Sequence, residues 1–113
     1  KNPNLQAKVV CADFAFNTPY KPIDVDGKFE ISYQKKGETV TENVADKIYS
    51  FFEKDGKLVA RLASGSVNLR PDRILHKLNS ALGVDLKLCD IEKIAQYVDV
   101  DGKLVDVDEY LQK

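Results

Sequence analysis

Methionine and tryptophan are missing from this 113-residue chain, histidine occurs once and cysteine twice. A lone His76 and the lack of any Cys-x-x-C pair argue against a zinc site. Two distant cysteines, Cys11 and Cys89, are too few for a disulfide framework. They read as two buried free thiols; a single bridge between them is the alternative and would imply an oxidising compartment. Charge of one sign is also lacking. Seventeen basic residues face eighteen acidic ones, so no global field steers the chain onto DNA or an anionic membrane. No apolar run approaches the ~18 residues that span a bilayer. The polar opening Lys1-Asn2-Pro3-Asn4-Leu5 lacks the form of a signal peptide, and Lys1 is expected to be a trimmed or processed end.

Catalytic signatures are scarce as well. There is no Gly-rich phosphate loop, no P-loop and no Gly-x-Ser-x-Gly. Any Cys/His or Ser/His/Asp set would have to recruit His76, and no spacing singles out a carboxylate pair. The sequence therefore predicts no catalytic residue, no metal and no cofactor.

What is present suits a small soluble α+β protein of cytoplasmic type. Apolar residues make up 43% and charged residues 31%, and a chain of this length buries roughly two-thirds of its unfolded surface without staples. Residues 1–113 are expected to form one domain, sheet-rich with one helix over 1–66 and helical with an Asp-Gly turn over 67–113.

In residues 7–16, Val10, Ala12, Phe14 and Phe16 recur at period two and predict a strand. Asn17–Pro22 reads as a loop. Asp26-Gly27 suits a tight turn, and Phe29, Ile31 and Tyr33 alternate with Lys28, Glu30 and Ser32 as a half-buried strand. Lys35-Lys36-Gly37-Glu38 turns the chain into a short strand, Thr39–Thr41. Residues 42–54 place Val44, Ile48, Phe51 and Phe52 on one helical stripe, with Thr39 and Glu42 at capping-box spacing. That favours a helix; the rival is a strand through Ile48–Phe52 turning at Asp55-Gly56. Lys57–Ala63 reads as a strand closed by Ser64-Gly65-Ser66. Pro71 opens a helix over 70–82, with Ile74, Leu75, Leu78, Ala81 and Leu82 on its apolar stripe and Gly83 as terminator. Val84–Leu88 is an extended link. Asp90 is expected to cap a shorter helix carrying Ile91, Ile94, Ala95 and Val98. Asp101-Gly102 should turn between two short extended pieces, with a helical turn over Asp106–Leu111.

The fold class expected is thus α+β: a small, mainly antiparallel ββ(β)αβ sheet, then a C-terminal pair of helices and a hairpin tail. In element order alone it resembles the core of a β-grasp fold, a likeness that implies no function. The words Asp-Val-Asp-Gly-Lys at 24–28 and 99–103 reuse one turn chemistry without repeating a domain.

Charge is uneven along the chain. Residues 54–77 hold six basic against two acidic residues, and residues 84–113 hold four against eight. Arg70, Arg73 and Lys77 share one helix face, His76 borders it, and Arg61 on the preceding strand can join. Arg forks match carboxylate and phosphate geometry. This face is the candidate partner-binding surface: for a protein with an acidic surface, or for nucleic acid, as against a plain solvated helix face. Asp99, Asp101, Asp106 and Asp108 around Gly102 only weakly resemble a calcium loop. With Gly102 in the sixth position, Tyr97 occupies the first and a short Asp the last. The aromatic set Phe14, Phe16, Phe29, Tyr33, Phe51 and Phe52 reads as core. Taken together, the residues predict a non-enzymatic protein-interaction module, a regulator, adaptor or inhibitor. A nucleic-acid binder is the first alternative, and an enzyme or calcium protein the last.

Overall fold

The computed structural model describes residues 9–23, 25, 27–65 and 68–111. Residues 7 and 8 of the expected first strand, Asp24, Asp26 and Ser66 lie outside the described residues. The architecture is a mixed α+β arrangement of a five-stranded sheet, a separate two-stranded sheet and two helices.

Strand β1 (Val9–Pro19) runs through the middle of the large sheet and extends three residues into the expected loop. It pairs antiparallel with β5 (Lys57–Ala63) on one side and β6 (Ile91–Val100) on the other. Each neighbour is half of a hairpin: β4 (Ile48–Lys54) flanks β5, and β7 (Lys103–Asp106) flanks β6, giving the order β4-β5-β1-β6-β7. Since β5 and β6 are both antiparallel to β1, they run parallel to each other. The helix α1 (Pro71–Leu82) joins them across the strand between, as a split βαβ unit. The small sheet is the hairpin β2 (Glu30–Lys35) and β3 (Glu38–Asn43), and a short helix α2 (Val107–Leu111) closes the described chain.

All three hairpins close with a residue-Gly pair in which both residues have positive φ: Lys36-Gly37, Asp55-Gly56 and Asp101-Gly102. That is the type I′ turn, whose twist matches paired strands and which glycine adopts at no steric cost. The α1 boundaries follow their local chemistry too. Pro71 takes the first helical position, and Gly83 at φ 69° donates its N–H to the Asn79 carbonyl.

One face of the large sheet presents Phe14, Phe16, Leu58, Ala60, Leu62, Ile48 and Phe51. Ile74, Leu78 and Leu82 of α1 and Phe29 and Ile31 of β2 join them in one core. Helix and hairpin thus share the covering layer, with α1 beside β2. Asn43 pins the base of the hairpin: its amide oxygen accepts the N–H groups of Phe29 (2.9 Å) and Ala45 (3.1 Å), and its amide nitrogen donates to the Gly27 carbonyl (3.2 Å). The aromatic set is core as expected except Phe52, which lies on the other side of the sheet against Arg61.

Two predicted helices are strands. Residues 42–54 end β3, pass a 3-10 turn at Ala45–Lys47 and form β4, so the strand turning at Asp55-Gly56 is the correct alternative. Thr39 is no cap; it sits in β3 opposite Gln34, whose amide donates to its hydroxyl (2.7 Å). Residues 90–98 are mostly β6. Asp90 does bond to backbone, but its carboxylate accepts the Lys87 N–H (2.9 Å) within a 3-10 turn. Both strands carry a register slip, and in β4 it accounts for the helix-like spacing. The register slips between Ile48 and Ser50 in β4, and between Lys93 and Ala95 in β6. A bulge inserts one residue and turns a two-residue alternation into a three-residue spacing. Ile48 and Phe51 therefore face the same core at helix-like separation. With β4 in place of a helix, the β-grasp likeness ends, and residues 67–113 carry a strand hairpin as well as helices.

Candidate functional site

The sequence nominated Arg61, Arg70, Arg73, His76 and Lys77 as one surface. The structure divides them. Arg61, on β5, projects from the sheet face opposite α1. Its Nε and Nη2 donate to Asp13 Oδ1 (2.7 Å) and Oδ2 (3.1 Å) on β1. Tyr97 on β6 donates its hydroxyl to Asp13 Oδ2 (2.8 Å). The guanidinium lies against two rings, 4.3 Å from the Tyr97 centroid and 5.4 Å from that of Phe52. Asp13 is almost wholly buried and the Arg61 side chain is only 25% exposed. This is an internal tie across three strands, and Arg61 leaves the partner-binding set. Asp13 holds the guanidinium well above its ordinary pKa, and burial followed by the Asp13 bond pushes the Tyr97 phenol up.

The other four residues stay at α1. Arg70 is the N-cap residue rather than the first helical one, and its guanidinium makes a bidentate pair with Asp72 (3.0 and 2.8 Å). His76 is exposed on the outer face of the helix, while Arg73 and Lys77 flank the core stripe and lean toward the hairpin. Arg73 lies over Tyr33 at 3.9 Å from the ring centroid, and Lys77 over Phe29 at 5.2 Å. Neither cation has a carboxylate partner among the described residues. Among the described residues the acidic segment 84–113 forms no ion pair with residues 54–77, and Arg73 and Lys77 are left unpaired while Arg70 is met by Asp72.

Between the N-terminal end of α1 and the hairpin lies a cleft of about 240 Å³ bounded by Tyr33, Glu42, Lys47, Arg70 and Arg73. Glu42 accepts from Lys47 Nζ (2.6 Å) and from the Tyr33 hydroxyl (3.0 Å). These bonds hold the Glu42 carboxyl below its usual range, Lys47 first and Tyr33 second; in return Glu42 raises both the Lys47 ammonium and the Tyr33 phenol. Three cations thus share the cleft with one committed carboxylate. Lys47 and Tyr33 were not in the nominated set because Lys47 was assigned to a helix and Tyr33 to the core. A hairpin reading of 42–54 was the signal that would have found them.

Residues 97–108 do not build a calcium loop. They form the β6–β7 hairpin, in which the Asp99 carboxylate accepts the Gly102 N–H (2.8 Å) and that of Asp106 accepts the Asp108 N–H (2.8 Å). Tyr97 in the first position is engaged with Asp13 instead. No cluster of three or more His, Cys, Asp or Glu side chains suited to a metal occurs among the described residues. The thiols are both free, Cys11 buried and Cys89 exposed, so the expected burial holds for the first alone. Burial pushes the Cys11 thiol up. No helix among the described residues is long and apolar enough to cross a membrane. Compared with known proteins, the chain matches no family model, and no curated protein or solved structure is significantly similar to it.

Proposed function

We propose that the chain is a small non-enzymatic interaction protein that docks an acidic segment of a partner protein across the N-terminal end of α1. The observation that supports this reading is Arg73. Its guanidinium lies over Tyr33, has no ion-paired carboxylate among the described residues, and opens onto a cleft it shares with Lys47 and Arg70. A cation fixed in place by a ring loses little conformational freedom on pairing, and its fork suits a carboxylate. Lys77 extends the same positive edge along the helix, and exposed His76 lies at its border. A nucleic-acid reading has less support. Unpaired bases need free aromatic faces beside the cations, and the Tyr33 and Phe29 rings are already covered by Arg73 and Lys77.

The test is parallel capture from native lysate with the wild-type chain and with R73E/K77E, after nuclease treatment. The proposal requires a stoichiometric protein complex with the first that is lost with the second, while circular dichroism confirms that the variant is folded. A complex untouched by the double reversal places the docking surface elsewhere. Capture that disappears on nuclease treatment, with a steep salt dependence in a mobility-shift titration, establishes the nucleic-acid alternative instead.

A further inference from the structure

A second, apolar recess adjoins the basic cleft, and Arg70 borders both. It is a shallow depression of about 350 Å³ between Phe14, Pro71, Leu88 and Ile91, with Lys93 and the Arg70–Asp72 ion pair at its rim. Leu88 is 65% exposed, more than any other large apolar side chain described. It stands on the 3-10 turn Leu88–Asp90 that leads into β6, held up by the Asp90 bond to the Lys87 N–H. Phe14 and Ile91, half-buried members of the core margin, form the floor of the recess. Lys93 has no carboxylate among the described residues; its ammonium sits 5.8 Å from the Phe14 centroid. An exposed leucine over an aromatic and aliphatic floor, with the unpaired Lys93 ammonium at its edge, is complementary to a large apolar side chain with an acidic neighbour.

We infer that the recess takes one large aliphatic or aromatic side chain of the partner's acidic segment. This deepens the docking reading above and rests on it. The segment then runs in continuous contact from the Arg73 cleft past the Arg70–Asp72 pair, and its apolar residue packs against Leu88 while a flanking carboxylate meets Lys93. The basic cleft supplies charge attraction, which many acidic segments satisfy. The recess supplies selection among them, because an alanine in place of leucine leaves Leu88 uncovered.

Two synthetic probes separate these contributions: Glu-Glu-Leu-Glu-Glu and Glu-Glu-Ala-Glu-Glu, each fluorescently labelled and titrated by anisotropy. The wild-type chain should prefer the leucine peptide by about tenfold, L88S should abolish that preference, and R73E/K77E should weaken both peptides alike. Leu88 is exposed, so L88S retains the fold and its melting curve. Equal binding of the two peptides, still weakened by R73E/K77E, overturns the recess and leaves the basic cleft standing. Binding of neither peptide overturns both. Concentration-dependent dimerisation in sedimentation velocity that L88S removes also overturns the inference, since the occupant is then a second copy of the chain.

Discussion

Truncating Arg61 should cost more stability than truncating the carboxylate it pairs with. Asp13 accepts three hydrogen bonds, two from Arg61 and one from Tyr97, with its side chain 4% exposed. R61A removes two of the three and leaves an anion that water scarcely reaches. Breaking a buried pair in this way costs about 3–5 kcal/mol, and the stacking of Arg61 on Phe52 and Tyr97 adds about 0.5–1 kcal/mol per ring at a partly exposed site. D13A strands the cation instead. A guanidinium already one-quarter exposed can turn toward solvent, so the cost falls to about 2–3 kcal/mol. At about 4 °C per kcal/mol for a chain of this size, the midpoints should drop by about 16–28 °C and 8–12 °C respectively. The apolar double variant D13L/R61M should recover to within about 2 kcal/mol of wild type, since it leaves no charge behind. Thermal and urea melts followed by far-ultraviolet circular dichroism measure all three. If D13A is the more damaging single change, or both lie within about 0.5 kcal/mol of wild type, the assignment of Asp13 as the occluded partner is wrong.

Gly65 has φ 90°, and a Cβ there would stand 2.6 Å from the Val9 carbonyl oxygen; G65A should cost about 2–4 kcal/mol, whereas G102A, with open space, should cost about 1–2 kcal/mol in the same melts. The Asn79 side chain bonds both the N–H (2.8 Å) and the carbonyl (3.0 Å) of Leu86, so N79A should cost about 1–3 kcal/mol and speed amide exchange at Leu86. Glu42 titrates below its unfolded value, so its stabilising contribution is complete above the ordinary carboxylate range and is lost as pH falls through the depressed value. The gap between wild type and E42Q should close on acidification, and should stay under about 1 kcal/mol because the side chain is one-third exposed; a gap that widens in acid contradicts the sign. A thiol reagent should titrate Cys89 at once and Cys11 only on unfolding; two fast thiols would mean β1 is not buried as described.

The legible parts of the fold were those fixed by local chemistry. Pro71 and Gly83 bracket α1, residue-Gly pairs mark the turns, and undisturbed alternation in Phe29–Tyr33 and a short apolar run in Lys57–Ala63 identify strands. The illegible parts were β4 and β6, where a bulge at Tyr49 and another at Ile94 break the two-residue period; in β4 the bulge sets Ile48 and Phe51 on one face at helix-like spacing. Sequence alone weighs spacing; the cross-strand partners that reveal a bulge are distant along the chain. The site was half legible for the same reason. Arg70, Arg73, His76 and Lys77 follow from one helix and were placed together correctly. Arg61 lies apart from them, tied to Asp13, a partner 48 residues away along the chain. Lys47 and Tyr33 required the strand reading of 42–54, and Leu88 and Lys93 reach the same region only through tertiary folding.

The docking surface itself is tested most directly by residue-resolved nitrogen-15 chemical shifts as Glu-Glu-Leu-Glu-Glu is titrated onto the labelled chain. Saturable shifts should cluster at Tyr33, Lys47, Arg70, Arg73 and Lys77. Shifts centred on Phe52, Arg61 and Tyr97, on the opposite face of the sheet, would contradict the account.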